Sequence, residues 1–289
     1  MSINRFGNQG VRSLVNAFVS STTLTEADFS NCQIQDDEVQ YIVRAIEHNK
    51  KLVKLILSKN EIGDKGAEEL ANALKHNTTL HEVDLSYNHI GDDGVKSLTQ
   101  HLQHNTTLIK LDLHDNSSQY CFIVSQAIKI KNEKTLCTLN LSNDRITNNG
   151  VTFITNALLY NTTFENINIS NNQIEDEKMY DFICSLRCTT TLNILDLSNN
   201  EIKEKGIKGL SDILQKFTKL STLNIANNAI GNNGLKILAN ALKSQKTLVE
   251  LQLRNNNICH LEAKQLSDAL TFNKTPTKLD LRFNNINED

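Results

Sequence analysis

Two hydrophobic rhythms alternate along this chain. In LHEVDL, starting at Leu80, the apolar residues Val83 and Leu85 stand two apart with polar residues between them. That is the period of a short strand with one buried side. In GDKGAEELANAL, from Gly63 to Leu74, the apolar residues Ala67, Leu70, Ala71 and Leu74 share one face at helical spacing. Asp64 is placed to cap this helix, and Gly66 to allow close approach at its entry. Equivalent glycines are Gly10, Gly94, Gly150, Gly206 and Gly234. A polar return, HNTTL at 76–80 and again at 104–108, leads back to the next strand.

The two rhythms form one unit that repeats every 28 residues, with the strand half written LxxLxLxxNxI. Copies start at residues 24, 52, 80, 108, 136, 164, 192, 220, 248 and 276, and a half repeat occupies 4–23, where Asn4 and Phe6 survive of the pattern. The spacing predicts a single domain over 1–289: an α/β, right-handed solenoid with one short parallel strand and one helix per repeat. Helices need more room than strands, so a horseshoe is expected, with strands on the concave face and helices on the convex one. Ten strands at about 4.8 Å give an inner arc of roughly 50 Å.

The combination of LxxLxLxxNxI with a G-x-x-G-a-x-x-L helix resembles the ribonuclease-inhibitor-like leucine-rich repeats over residues 4–286. The GAEELANAL segment and the asparagine-rich composition are also similar to the leucine-rich-repeat effectors, including the GALA type, of intracellular bacteria. The resemblance implies a protein that binds other proteins, and specifically an effector-like inhibitor or regulator that covers a partner enzyme with its concave face. Two alternatives come with the same scaffold: a GTPase-activating protein of the leucine-rich-repeat type, and a passive scaffold or ubiquitin-ligase adaptor.

Composition narrows the partners. A net charge of −3 and a pI near 6.3 argue against nucleic acid or an anionic membrane, which select a basic stripe. No apolar run approaches the roughly 18 residues of a membrane span. The opening MSINRFGNQG has no basic segment followed by an apolar stretch, so a cytoplasmic, reducing location is expected. The effector resemblance extends that to delivery into a host cytosol. The six cysteines match no disulfide framework and are expected as thiols, Cys184 and Cys188 as buried ones on a helix. No phosphate loop or ligand cluster suggests a cofactor or metal, and a monomer is expected.

The asparagine at 60, 88, 116, 172, 200, 228, 256 and 284, replaced by Cys32 and Asp144, is expected to bond loop backbone. The sequons at Asn77, Asn105 and Asn161 are expected to be parts of the repeat. Free positions on the strands carry the functional information: Asp28, Ile56, Asp84, Asp112, Asn140, Asn168, Asp196, Asn224, Gln252 and Asp280 form one row. Two stretches depart from a bland polar face. The first brings together Glu82, Asp84, Tyr87, His89, Lys110, Asp112, His114 and Asp115; the second Glu250, Gln252, Arg254, Lys278, Asp280, Arg282 and Phe283. Both mix charge with an aromatic ring, as binding hot spots do. Pro276, Lys278 and Arg282 would also discourage strand pairing at an edge.

His114 beside Asp112 and Asp115 could be drawn as a base with its orienting acid, but Ser86 and Ser142 are only neighbours on an open surface, so no enzyme is expected. A third anomaly runs from His114 to Ile128, where Ser118 replaces isoleucine and Phe122 the entry glycine; a distorted turn with slack packing is expected there.

Overall fold

The structure is a computed structural model and describes residues 7–159 and 161–286. Asn4 and Phe6 of the N-terminal half repeat lie outside the described residues. The chain divides into two compact units, Met1–Glu133 and Lys134–Asp289.

In the N-terminal unit α1 (Gly7–Ser20) is followed by β1 (Glu26–Asp28), α2 (Asp36–His48), β2 (Lys54–Ile56), α3 (Asp64–Lys75), β3 (Glu82–Asp84), α4 (Asp92–Leu102), β4 (Lys110–Asp112) and α5 (Cys121–Asn132). Its strands form one parallel sheet in chain order, each residue paired with the one 28 positions on, as in Glu82 with Lys110 and Asp84 with Asp112. The C-terminal unit holds β5 (Thr138–Asn140), α6 (Asn148–Leu158), β6 (Asn166–Asn168), α7 (Asp176–Ser185), β7 (Ile194–Asp196), α8 (Glu204–Ile213), β8 (Thr222–Asn224), α9 (Gly231–Leu242), β9 (Glu250–Gln252), α10 (His260–Phe272) and β10 (Lys278–Asp280). These six strands form a second parallel sheet, again in chain order. Both units are α/β solenoids with the predicted period.

Each strand is three residues long, and in all but β10, whose Leu279 is exposed, the central side chain is buried. Leu55, Val83, Leu111, Leu195 and Leu223 are buried there, while the residues on either side face out. The helices complete the core with Leu70, Leu74, Leu98, Ile154, Leu210 and Leu238, all fully buried. Burying one such side chain stabilises the fold by about 1.5–3 kcal/mol, so every repeat contributes through its own layer and through the layer it covers.

The repeating asparagine ties adjacent layers together. Asn88 is buried, its Oδ1 accepts the Ile62 N–H (3.0 Å), and its Nδ2 donates to the carbonyls of Leu57 (3.0 Å), Leu85 (3.0 Å) and Ser86 (3.2 Å). Asn60, Asn172, Asn200 and Asn228 do the same. A second row sits at the other end of the repeat. Asn105 is buried, donates to Leu74 O (2.7 Å), and accepts from Thr107 N and Leu108 N. Asn77 and Asn161 accept in the same way from Thr79 and Leu80, and from Thr163 and Phe164. In the folded chain these sequon asparagines are structural turn residues.

Three expectations need correction. Asp64 does not cap its own helix: its Oδ1 accepts the N–H of Gly91 (2.6 Å) and of Gly94 (2.9 Å), capping α4 in the next repeat. Asp36 serves Gly63 and Gly66 likewise, and Asp176 serves Gly206. The glycines are needed because a Cβ at Gly66 would stand 2.6 Å from Asp36 Oδ1 and 2.8 Å from Ile62 Cγ2. Second, Cys188 is exposed rather than buried, because α7 ends at Ser185 and a short 3-10 turn over Leu186–Cys188 carries the thiol outward. Third, the His114–Ile128 segment is distorted but not slack. The Ser117 and Ser118 N–H groups bond Ile90 O, and the Ser118 hydroxyl donates to Asp92. Helix α5 then starts at Cys121 and buries Ile123, Val124, Ala127, Ile128 and Ile130. Phe122, at the glycine position, is left exposed.

Candidate protein-binding faces

The exposed side of each sheet is defined by the first and third residues of every strand and by the two residues that follow the next inward apolar residue, of which the first is buried at Ser86, Ser170, Ser198 and Ala226. The second of those two has an unusual backbone. Asn31, Lys59, Tyr87, Asp115, Asn143, Asn171, Asn199, Asn227, Asn255 and Phe283 all have φ between 52° and 64°. This left-handed conformation costs an ordinary side chain about 1–2 kcal/mol, and asparagine and aspartate the least. Seven of the ten are Asn or Asp; Lys59, Tyr87 and Phe283 depart from that rule. Tyr87 is 47% exposed and Phe283 69%.

In the N-terminal unit the departure builds a compact cluster. The His114 ring meets the Tyr87 ring edge-on at 4.8 Å, and Lys59 Nζ lies 5.3 Å from the centre of the Tyr87 ring. His114 Nδ1 bonds Asp112 Oδ1 at 2.6 Å, and its Nε2 is 3.8 Å from Asp115 Oδ2. The Asp112 hydrogen bond raises the His114 pKa against the opposing effect of partial burial. Burial pushes the Asp112 carboxyl up, but the side-chain and backbone hydrogen bonds of His114 and the nearby Lys110 outweigh it and leave the pKa lowered. A hydrogen bond to Asp115 raises the Tyr87 hydroxyl. Along the first strand position Glu26, Lys54, Glu82 and Lys110 alternate in sign, with Lys54 Nζ 2.8 Å from Glu26 Oε1.

Of the predicted residues, Asp84, Asp112, His114, Asp115 and Tyr87 lie within this cluster or on the adjoining strand ends, and Glu82 and Lys110 flank it on the sheet. His89 is exposed two residues beyond Tyr87, and its backbone N–H donates to Ile62 O. A cleft of about 560 Å³ beside β4 is lined by Glu82, Lys110, Asp112, His114 and Phe122 among others. The Ser86 hydroxyl on the same sheet is already spent, since its Oγ donates to Asp84 (2.6 Å). His114 thus holds an orienting carboxylate, while the Ser86 hydroxyl is turned to its own strand partner.

In the C-terminal unit the face is plain from β5 to β8, where Ser142, Ser170, Ser198 and Ala226 follow the strands, and changes at β9 and β10. Arg254 stacks over the Phe283 ring with its guanidinium carbon 4.3 Å from the ring centre. Arg282 grips Asp280 through Nε (2.9 Å) and Nη2 (2.7 Å), which holds the Asp280 carboxyl down at about 2. Lys278 Nζ lies 3.5 Å from Glu250 Oε2, and Gln252 Nε2 donates to Glu250 Oε1 at 2.8 Å. A shallow cavity of about 610 Å³ runs along these strands. The sequence reading missed Lys59 and the Glu26–Lys54 pair. The signal for Lys59 was its place in the row otherwise held by asparagine.

A family model described as Leucine Rich repeat matches residues 48–71, 76–98, 160–177, 189–211 and 218–239. No curated protein sequence matches the chain. Among solved structures the chain is similar to an internalin from Listeria monocytogenes str. 4b F2365, at 18% identity, covering 97% of this chain and 89% of that one, with a TM-score of 0.33. It is similar to an internalin C2 of the same strain at 20% identity, covering 86% and 84%, with a TM-score of 0.37. The tropomodulin C-terminal domain of Caenorhabditis elegans is similar at 14% identity, covering 62% of this chain and 92% of that one, with a TM-score of 0.40.

A solenoid that stacks short parallel strands beside helices and presents the strands to solvent is a scaffold for protein–protein interaction, a fold that typically binds rather than catalyses. Over the matched segments its repeats are similar to leucine-rich repeats.

Proposed function

We propose that this protein regulates a partner enzyme by covering it with its exposed strand faces, as an effector-like inhibitor acting in a reducing cytosol. The observation that carries this reading is the pair of exposed aromatic rings, Tyr87 and Phe283, held in left-handed backbone where asparagine is the favoured and more common residue. A large ring displayed from a backbone that disfavours it points to a use for the ring. Rigid aromatic side chains flanked by charge are the usual anchors of protein interfaces.

Substituting each ring by the residue that other repeats carry tests this without disturbing the fold. Tyr87→Asn and Phe283→Asn should leave thermal stability unchanged or slightly raised, yet weaken capture of the partner from lysate and relieve inhibition of the captured enzyme. If both variants capture and inhibit as well as the unaltered chain, the strand faces are not the binding surface.

A further inference from the structure

The C-terminal patch contains three cations and two carboxylates, and their pairing is unequal. Both carboxylates are occupied. Asp280 takes two hydrogen bonds from Arg282, and Glu250 is shared by Lys278 and Gln252. Arg254 is the remainder: the residue is half-buried, and although its charge helps to hold the Asp280 pKa down, among the described residues its side chain has no hydrogen-bond or ion-pair partner. What fixes it is the Phe283 ring beneath, at 4.3 Å. A stacked guanidinium keeps its N–H donors in the plane of the group and loses little freedom when it binds. Phe283 is therefore a platform, in a left-handed turn that would favour asparagine if the turn were its only role.

A planar fork with unspent donors matches a carboxylate in two-point geometry. The neighbouring Glu250 and Asp280 disfavour a phosphodiester backbone, whose charges keep a fixed close spacing, whereas a flexible acidic peptide can set one carboxylate on Arg254 and turn its others away from both. Resting on the reading of the strand face as protein-binding, we propose that Arg254, carried on the Phe283 ring, is an anchor for an aspartate or glutamate side chain in an acidic segment of the partner protein. Arg282 differs from it in having its carboxylate within the chain.

The probe is hexaglutamate, acetylated and amidated at its ends, titrated into the ¹⁵N-labelled full chain while the arginine side-chain Nε–H signals are followed. Saturable binding should shift the Arg254 signal far more than that of Arg282. Arg254→Lys, which keeps the charge but loses the fork, and Phe283→Asn, which removes the platform, should each weaken binding about tenfold, with unfolding midpoints near that of the unaltered chain. Arg282→Lys should weaken it far less. The proposal is overturned if hexaglutamate does not saturate, if its binding survives both variants, or if it leaves the Arg254 signal in place. Tighter binding of hexaserine with a free C-terminal carboxylate, or of a six-residue oligothymidylate, overturns it too. If Phe283→Asn loses the partner while hexaglutamate ignores Arg254, the ring binds without the guanidinium: this inference fails and the protein-binding reading stands.

Discussion

Two polar rows run side by side through the turns that end the strands, and both are written mostly in asparagine. The inner row, Asn60, Asn88, Asn172, Asn200 and Asn228, is buried and ties one repeat to the one before it. The outer row, one residue earlier, faces solvent in left-handed backbone, and there asparagine is favoured for its own conformation. In the inner row the side chain satisfies backbone groups that water cannot reach, so an unlike residue is costly. In the outer row the requirement is modest, so the residue can be changed for a purpose, and Lys59, Tyr87 and Phe283 show where it was.

The largest test of this contrast is Asn88→Ala. It strands the Ile62 N–H and removes one of two amide donors from the carbonyls of Leu57 and Leu85, which keep Asn60 and Asn116, and a loss of about 2 kcal/mol is expected in urea unfolding. A loss no larger than that of an outer-row change would abolish the distinction. Asn171→Ala in the outer row should cost only about 1 kcal/mol, the penalty of alanine at φ 54°. Asp144→Asn should work in the opposite sense. At this exposed position aspartate has no amide to give the Ser142 carbonyl or to join Asn172 on that of Leu141, so a gain of about 0.5 kcal/mol is expected. Partial burial raises the Asp144 pKa in the folded chain, so the charged form is the disfavoured one. The gain should therefore be fullest at neutral pH and shrink as the pH falls through the folded pKa.

The smallest effect concerns the charged cluster around Tyr87. The folded His114 pKa is raised, so its pairing with Asp112 contributes below the unfolded value of about 6.5 and is lost as pH rises through the folded pKa. The folded Asp112 pKa is lowered, so its contribution is present above its unfolded value and is lost as pH falls through the folded one. Titration of the His114 ring by NMR should give a midpoint above 6.5, and Asp112→Asn should bring it down. A midpoint unmoved by that change would show that Asp112 is not the group holding the ring.

Much of the fold is legible in the chain because the same layer is written ten times. The spacing of Val83 and Leu85 marks the strand, that of Leu70 and Leu74 the helix, and the recurrence of asparagine the turn. The candidate patches were legible too, as departures from that regularity: Arg254 and Arg282 stand where serine is usual, and Tyr87 and Phe283 where asparagine is. Less legible were the interactions that cross from one repeat to another. Asp64 sits at the start of α3 and looks like its cap, but its carboxylate reaches Gly91 and Gly94, 27 and 30 residues on.

The sequence by itself determined the period, the inward-facing residues and the polar rows, since these follow from side-chain alternation along a single strand and helix. Only the tertiary structure decided which repeat each polar group serves, that Arg254 is left over when Asp280 takes Arg282, and that His114 closes on Tyr87. Those outcomes depend on distances between layers 28 residues apart, where a hydrogen bond exists or fails within a few tenths of an ångström.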